Sequence, residues 1–423
     1  MNIKTIISNN TYYQSIIHLA SATVVSHIIL FISLPIITRL YDPAMFGVLS
    51  LYMSIMGLLA VIASMKYELA IPIPLDNVTS YTLVILSIII LLIFSIFYII
   101  FGTFIIYNNF IIDNYNLFIL VLIGIIVTLI YNILTYANIR NENYKDISRT
   151  KVIRSVSLSS TQIIFGLFGF GYIGLIIGEI IGRVFGNLRL FNTIKIELIK
   201  NMKLITFNNI KSTAIEFQDY PKFTAPAWFM NNAVIHIIPI FIIYEYGLLI
   251  AGMYFIAYKI MSIPELILSQ SINQAFNGKF SKMSRENDGD KYNFFISTVH
   301  KVFIFAVIIT PLLSILSVYL FPYILGNKWS DAGELTVYLI PLFISQLTMS
   351  SMYISLNILN KQYIQFIWDS IRFSLFLILI YITAKYNITL EIFLIWLSIL
   401  IALFYIALYI IIKNILIKEE YAI

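Results

Sequence analysis

The sequence predicts an all-α integral membrane protein of twelve transmembrane helices, on three observations. Of 423 residues, 60% are hydrophobic and only 11% charged, whereas a soluble domain carries about 25% charged residues. Such a chain cannot cover a particle of its size with solvated surface, which excludes an ordinary cytosolic or secreted enzyme. Apolar stretches long enough to cross a bilayer, about 20 residues each, recur along the whole chain at fairly even intervals. Lys and Arg gather in alternate connections between those stretches, as expected for a multi-pass protein.

The first span is read at 15–37. Ala20-Ser21-Ala22 imitates a signal-peptide cleavage site, but Thr11 to His18 is too polar for a hydrophobic region and the apolar run continues to Ile37, so a retained span is expected. The next five follow at 44–65, 81–106, 116–139, 152–171 and 173–194. The seventh, 223–244, is interrupted by Pro221, Pro226 and Pro239, and the eighth, 247–275, by Pro264. Proline removes a backbone donor and kinks or breaks a helix. Broken helices in membranes often line a cavity or mark a transport site, the alternative being a simple kink. The last four spans are 296–324, 334–358, 363–384 and 388–412. The longest connections are read as loops at 140–151, 195–211 and 276–292, with Asn277 to Lys291 the most polar segment. The loop at 195–211 divides the spans six and six, predicting two six-helix bundles over 1–200 and 201–423. A faint internal echo runs between the halves: Phe46-Gly47 before Ile55-Met56, and Ala251-Gly252 before Ile260-Met261.

Orientation follows from the basic residues. With both termini placed on the cytoplasmic side, the connections there hold twenty Lys and Arg, including Lys4, Lys66, Lys361, Lys413 and Lys418. The opposite side holds three, Arg39, Lys328 and Lys385. Shifting the arrangement by one span destroys this imbalance. The net charge of +6 is therefore assigned to membrane orientation rather than to nucleic acid.

Absences narrow the chemistry. There is no cysteine, hence no disulfide, thiolate nucleophile or iron–sulfur cluster. His18, His27, His236 and His300 are dispersed and form no metal-binding frame. No phosphate-binding GxxxxGK[ST] loop, nucleophile elbow or acidic catalytic loop occurs, and the outer connections are short. No catalytic residue, metal or cofactor is expected, and the chain reads as a transporter driven by an ion or substrate gradient rather than an enzyme.

Charges inside spans are costly, roughly 2.5–3.5 kcal/mol on insertion scales, and usually face a protein interior or an aqueous cavity. Glu179 and Arg183 lie four apart in the sixth span and share a helix face. Asp369 and Arg372 lie three apart in the eleventh. Each pair is either an internal neutralising salt bridge or part of a site. Lys259 is near the middle of the eighth span, with no acidic residue three or four positions away; Glu265 is six positions on, about 120° round the helix. Glu216, Asp219 and Lys222 form a stripe at the start of the seventh span, where Lys222 either enters a cavity or snorkels to the headgroups. Gly174, Gly178, Gly182 and Gly186 repeat every fourth residue, a spacing that lets helices pack closely.

Several segments together resemble a known family: Leu34-Pro-Ile-Ile-Thr-Arg-Leu-Tyr-Asp-Pro-Ala-Met-Phe-Gly47, Lys66-Tyr-Glu-Leu-Ala-Ile-Pro-Ile-Pro74, Tyr220-Pro-Lys-Phe-Thr-Ala-Pro226 and Gly252-Met-Tyr-Phe-Ile-Ala-Tyr-Lys-Ile-Met-Ser-Ile-Pro264. They are similar to the Wzx-type polysaccharide and O-antigen flippases of the MOP exporter superfamily, over essentially the whole chain. The resemblance implies a MATE-like fold of two six-helix bundles around a central cavity. It implies a bacterial inner-membrane protein that moves undecaprenyl-diphosphate-linked oligosaccharide, for O-antigen, capsule or similar polymers, from the cytoplasmic to the periplasmic leaflet. Partners expected on that basis are membrane lipids and the polysaccharide polymerase and chain-length proteins. Fixed cations suit a sugar-diphosphate headgroup, which makes Lys259, Arg183, Arg372 and Lys222 the candidate substrate-binding residues. Glu179, Glu265 and Asp369 are the candidate proton-coupling groups. The rival readings are a multidrug or metabolite cation antiporter of the same fold and a membrane-embedded glycosyl or acyl transferase.

Overall fold

A computed structural model describes residues 11–107, 115–286, 290–359 and 361–420. Lys4, and Asn287, Asp288 and Gly289 of the polar segment, lie outside the described residues. Among the described residues the regular structure is entirely helical. In chain order the helices are α1 (Thr11–Leu40), α2 (Pro43–Ala63), α3 (Asn77–Tyr107), α4 (Tyr115–Arg140), α5 (Tyr144–Leu167), α6 (Tyr172–Met202), α7 (Phe207–Glu216) and α8 (Ala225–Tyr246). They continue with α9 (Leu248–Met261), α10 (Ile263–Arg285), α11 (Lys291–Ile324), α12 (Ser330–Tyr338), α13 (Ile340–Met349), α14 (Ser355–Ile358), α15 (Gln362–Lys385) and α16 (Leu390–Glu420).

Among the described residues nine helical stretches are long and apolar enough to cross a membrane, and α12 with α13 supplies a tenth as a pair bent by 58°. The chain is a multi-pass membrane protein. The spans expected at 152–171 and 173–194 appear as α5 and α6, 24 and 31 residues long. They have the length to cross at about 1.5 Å per residue. Their charges, Lys145, Asp146, Arg149, Lys151 and Arg154 on one and Glu179, Arg183 and Arg189 on the other, keep them out of the apolar set.

Some of these expectations are corrected. The connections read as loops at 140–151, 195–211 and 276–292 are mostly helix: α5 begins at Tyr144, α6 runs to Met202 and α10 to Arg285. Lys, Arg and Glu are good helix formers, and a helix that carries its own backbone hydrogen bonds needs no reason to stop where the apolar run stops. The interruption expected at Pro264 is present within the apolar stretch Leu248–Leu268: α9 ends at Met261 and α10 starts at Ile263 with Pro264 in its first turn, where a missing N–H costs nothing. The tenth is likewise divided, at Leu339 before Pro341 and again over 350–354. In the seventh, Pro221 sits in a π-helical turn, Tyr220–Thr224, while Pro239 is accommodated inside α8 without a break.

The chain forms two compact units, Met1–Tyr41 with Val48–Ile237 and Asp42–Gly47 with Ile238–Ile423. In the first unit α5 packs along both α1 and α6, and α4 lies against α6. The glycine row is the reason that α5 and α6 approach so closely. A Cβ on Gly182 would lie 2.9 Å from the Arg154 carbonyl oxygen, and one on Gly178 2.4 Å from Gln162 Cγ. Polar side chains stitch the same seam: Gln162 Nε2 donates to the Leu175 carbonyl at 2.9 Å, and Ser33 and Ser159 hydroxyls meet at 2.8 Å. The start of α3 is capped by Asp76, whose carboxylate accepts the Thr79 N–H at 2.6 Å; that bond holds the carboxyl below its usual range.

In the second unit α11 packs against α12 and α13, and α13 and α15 against α16. The residues of the internal echo meet here reciprocally. A Cβ on Gly47 would lie 2.0 Å from the Leu248 carbonyl oxygen, and one on Gly252 1.8 Å from the Pro43 carbonyl oxygen. Each glycine thus receives the carbonyl of the residue four positions before the other. Phe46 closes edge-on against Trp329 at 5.1 Å, and Lys328 bonds Asp42 at 2.7 Å.

Candidate functional site

Each unit contains a cluster of charges built around a pair one turn apart on a single helix. In the first, Arg183 Nη1 meets Glu179 Oε2 at 2.7 Å and also donates to the Glu179 carbonyl at 3.0 Å. Both residues are buried, Arg183 at 4% exposure. The arrangement is set by their four-residue spacing on α6, which places them one turn apart. A second guanidinium arrives from α5, with Arg154 Nη2 3.9 Å from the same carboxylate oxygen. Arg154 also stacks over the Tyr131 ring of α4 at 5.6 Å. Tyr52 of α2 lies in the field of Arg183, Glu179 and Arg154. Its buried hydroxyl has no hydrogen-bond partner among the described residues, and it is admitted there because Gly124 has no Cβ, which would lie 2.1 Å from the oxygen. One carboxylate therefore faces two guanidinium groups that stay protonated at any relevant pH.

The second cluster pairs one carboxylate with one guanidinium. Arg372 Nη2 bonds Asp369 Oδ1 at 3.0 Å, one turn apart on α15, and its guanidinium lies 4.6 Å over the Trp368 ring. The Tyr353 hydroxyl donates to the other Asp369 oxygen. Tyr405 of α16 bonds Arg372 and sits in the field of both Asp369 and Glu265. Glu265, in the first turn of α10 beside Gln346 and Ser350, acts on the same Tyr405 from a distant part of the sequence. Next to it a cavity of about 490 Å³ opens between α11, α13 and α16. Tyr405 forms part of its wall, and His300, Ser345 and Thr348 interrupt an otherwise apolar lining.

The remaining candidates are placed differently. Lys259 is half-buried near the end of α9, with its ammonium 5.7 Å from the Phe255 ring. Lys222 is exposed in the π-helical turn and donates to Gln218 Oε1 at 2.6 Å. Glu216 and Asp219 are exposed with it. The sequence reading missed Arg154, Tyr52 and Tyr131 in the first unit and Tyr353 and Tyr405 in the second, all delivered by long-range packing. It also counted Lys66 as a loop cation, whereas Lys66 is buried. Its left-handed backbone (φ 61°) follows another at Met65 (φ 50°). The Lys66 ammonium lies 3.5 Å from Glu68, itself 1% exposed, and 4.6 Å from the Trp228 ring. Two adjacent non-glycine residues at positive φ are a local cost and were invisible in composition. No group of three or more His, Asp or Glu able to hold a metal occurs among the described residues.

Known structures share this architecture. An inward-facing multidrug resistance MATE family transporter of the MOP superfamily superposes with a TM-score of 0.67 at 13% identity, over 94% of this chain and 99% of that one. MATE in the bent conformation gives 0.57 at 14% identity, over 96% of each chain. The MATE transporter ClbM in complex with Rb+ gives 0.52 at 11%, over 98% of each. The fold is therefore MATE-like. No curated protein matches the sequence. The family described as "Polysaccharide biosynthesis protein" matches residues 36–334. The chain belongs to that polysaccharide biosynthesis protein family.

Proposed function

We propose that the chain is a flippase that carries undecaprenyl-diphosphate-linked oligosaccharide across a bacterial inner membrane by alternating access. Family membership together with a MATE-like fold supports a membrane transporter in polysaccharide assembly. The observation that bears on the substrate is the surplus of positive charge at Arg154, Glu179 and Arg183, where Arg183 is buried and Arg154 half-buried. A diphosphate supplies the missing negative charge, and guanidinium groups bind phosphate oxygens in a matched fork. In this reading α5 and α6 also cross the membrane, completing twelve spans with both termini cytoplasmic. The positive-inside distribution of Lys and Arg supports that orientation.

Among the candidates, Arg183 contacts the diphosphate with Arg154 beside it. Lys259, Lys222 and Arg372 line the path of the headgroup. Glu265 and Asp369 take up and release the coupling proton, while Glu179 holds Arg183 in place. The second reading, a cation antiporter, rests on the two carboxylates that act on Tyr405 and on the multidrug MATE neighbours. Expression in a flippase-null strain decides between them. Restored polymer and disappearance of the accumulated lipid-linked repeat unit are expected; persistence of that intermediate at normal protein level overturns the flippase reading.

A further inference from the structure

A second basic feature lies outside both clusters. A cavity of about 260 Å³ opens between α1 and α5 in the first unit, bounded by His18, Ser21 and Val25 on one helix and Lys145, Ser148 and Arg149 on the other. Lys145 and Arg149 are one turn apart, so like charges stand on one helix face, an arrangement that repels. Among the described residues no carboxylate lines the cavity. The neighbouring cations are all engaged elsewhere. Arg140 bonds the Leu75 carbonyl and Asn77, Lys151 donates to Thr23 at 2.8 Å, and Arg189 pairs with Asp146 at 2.6 Å. Asp146, the acid nearest in sequence to Lys145, is thereby directed to Arg189 rather than to the cavity. Arg154 is five residues beyond Arg149, about 140° round the helix, and turns to Glu179 instead.

We propose that this cavity holds the phosphate of an anionic glycerophospholipid of the bilayer. Its depth fits: Lys145 and Arg149 lie in the first two turns of α5, ahead of the apolar run expected from Val152, so the basic groups stand at headgroup level while Val25 and Val152 continue the groove toward the hydrocarbon. Its charge fits: basic pockets between membrane helices are the usual receptors for acidic headgroups. Bound there, the lipid bridges α1 and α5, the helix that presents Arg154 to Glu179.

The test is native mass spectrometry of the full chain from mixed micelles containing equimolar phosphatidylglycerol and phosphatidylcholine. Wild type is expected to retain phosphatidylglycerol over phosphatidylcholine by roughly tenfold or more, the scale for two cations at a lipid surface. K145Q/R149Q is expected to bring the ratio near unity, and K145R/R149K to keep it, which separates lost charge from misfolding. An unchanged preference in K145Q/R149Q overturns the proposal. So does preferential retention of undecaprenyl phosphate, added as competitor, at a site abolished by K145Q/R149Q, because the groove would then serve a polyprenyl ligand.

Discussion

In the first unit one carboxylate, Glu179, meets two guanidinium groups, Arg183 at 2.7 Å and Arg154 at 3.9 Å, whereas in the second Arg372 pairs with Asp369 at 3.0 Å and a further carboxylate, Glu265, acts on the same Tyr405. Both clusters are built alike: a pair one turn apart on a single helix, a further charge from a second helix, and tyrosines packed around them. Only the sign of the further charge differs. A buried charge is tolerated when it is paired, so a surplus dictates what must arrive from outside. Arginine does not give up its proton, so deprotonation does not relieve the surplus in the first cluster, whereas an anion does. A surplus carboxylate can be balanced by a proton or a metal cation. In the proposed function this asymmetry separates two tasks, holding an anionic headgroup in one unit and coupling to a cation in the other.

The most severe way to break the comparison is to remove the carboxylate from the cation-rich side. Glu179→Ala leaves Arg183 and Arg154 facing each other and should cost about 3–5 kcal/mol of stability, measured as a lower thermal midpoint in detergent. Asp369→Asn keeps the shape, the Tyr353 contact and the Arg372–Trp368 stack, and should cost only about 1–2 kcal/mol. Equal losses would remove the asymmetry. Packing offers a graded counterpart. Gly252→Ala drives a methyl onto the Pro43 carbonyl, a backbone atom, and should cost about 3 kcal/mol. Gly186→Ala meets the Thr150 methyl and the Tyr131 ring at 3.0 and 3.1 Å, side chains that can shift, and should cost under about 1.5 kcal/mol.

A functional contrast sharpens the division of tasks. Transport by Glu265→Gln, assayed in vesicles, should lose its dependence on an imposed proton gradient, while residual transport by Arg154→Gln should retain it. The smallest effect is expected at Tyr52→Phe. Deleting a buried hydroxyl with no partner should leave the thermal midpoint within about 0.5 kcal/mol of wild type. A larger loss would mean that the hydroxyl holds the cluster together.

Half of each cluster was legible in the sequence. Glu179 with Arg183, and Asp369 with Arg372, are separated by one helical turn, and helical geometry alone brings them within bonding distance. The Gly174 to Gly186 row was legible for the same reason. Arg154, Tyr52, Tyr405 and the approach of Glu265 were not, because they depend on which faces of distant helices meet. Lys66 was misread because a loop position in sequence says nothing of a tight left-handed turn folded under Trp228. The break at Ser262 was foreshadowed by Pro264, but a proline marks a helix start as readily as a kink. The echo of Gly47 and Gly252 was visible as residues, while its reciprocal contact depends on which faces of distant segments meet.

The central claim is that the cation-rich cluster, and not the one around Asp369 and Arg372, holds the diphosphate. Arg154 is the cleanest probe, because it is the more exposed guanidinium and its loss leaves the 2.7 Å Arg183–Glu179 pair intact. Binding of undecaprenyl diphosphate to the purified protein should weaken about tenfold or more in Arg154→Gln, the loss of one charge-assisted contact, and stay within about twofold of wild type in Asp369→Asn. Unchanged affinity in Arg154→Gln, or an equal loss in Asp369→Asn, would contradict the account.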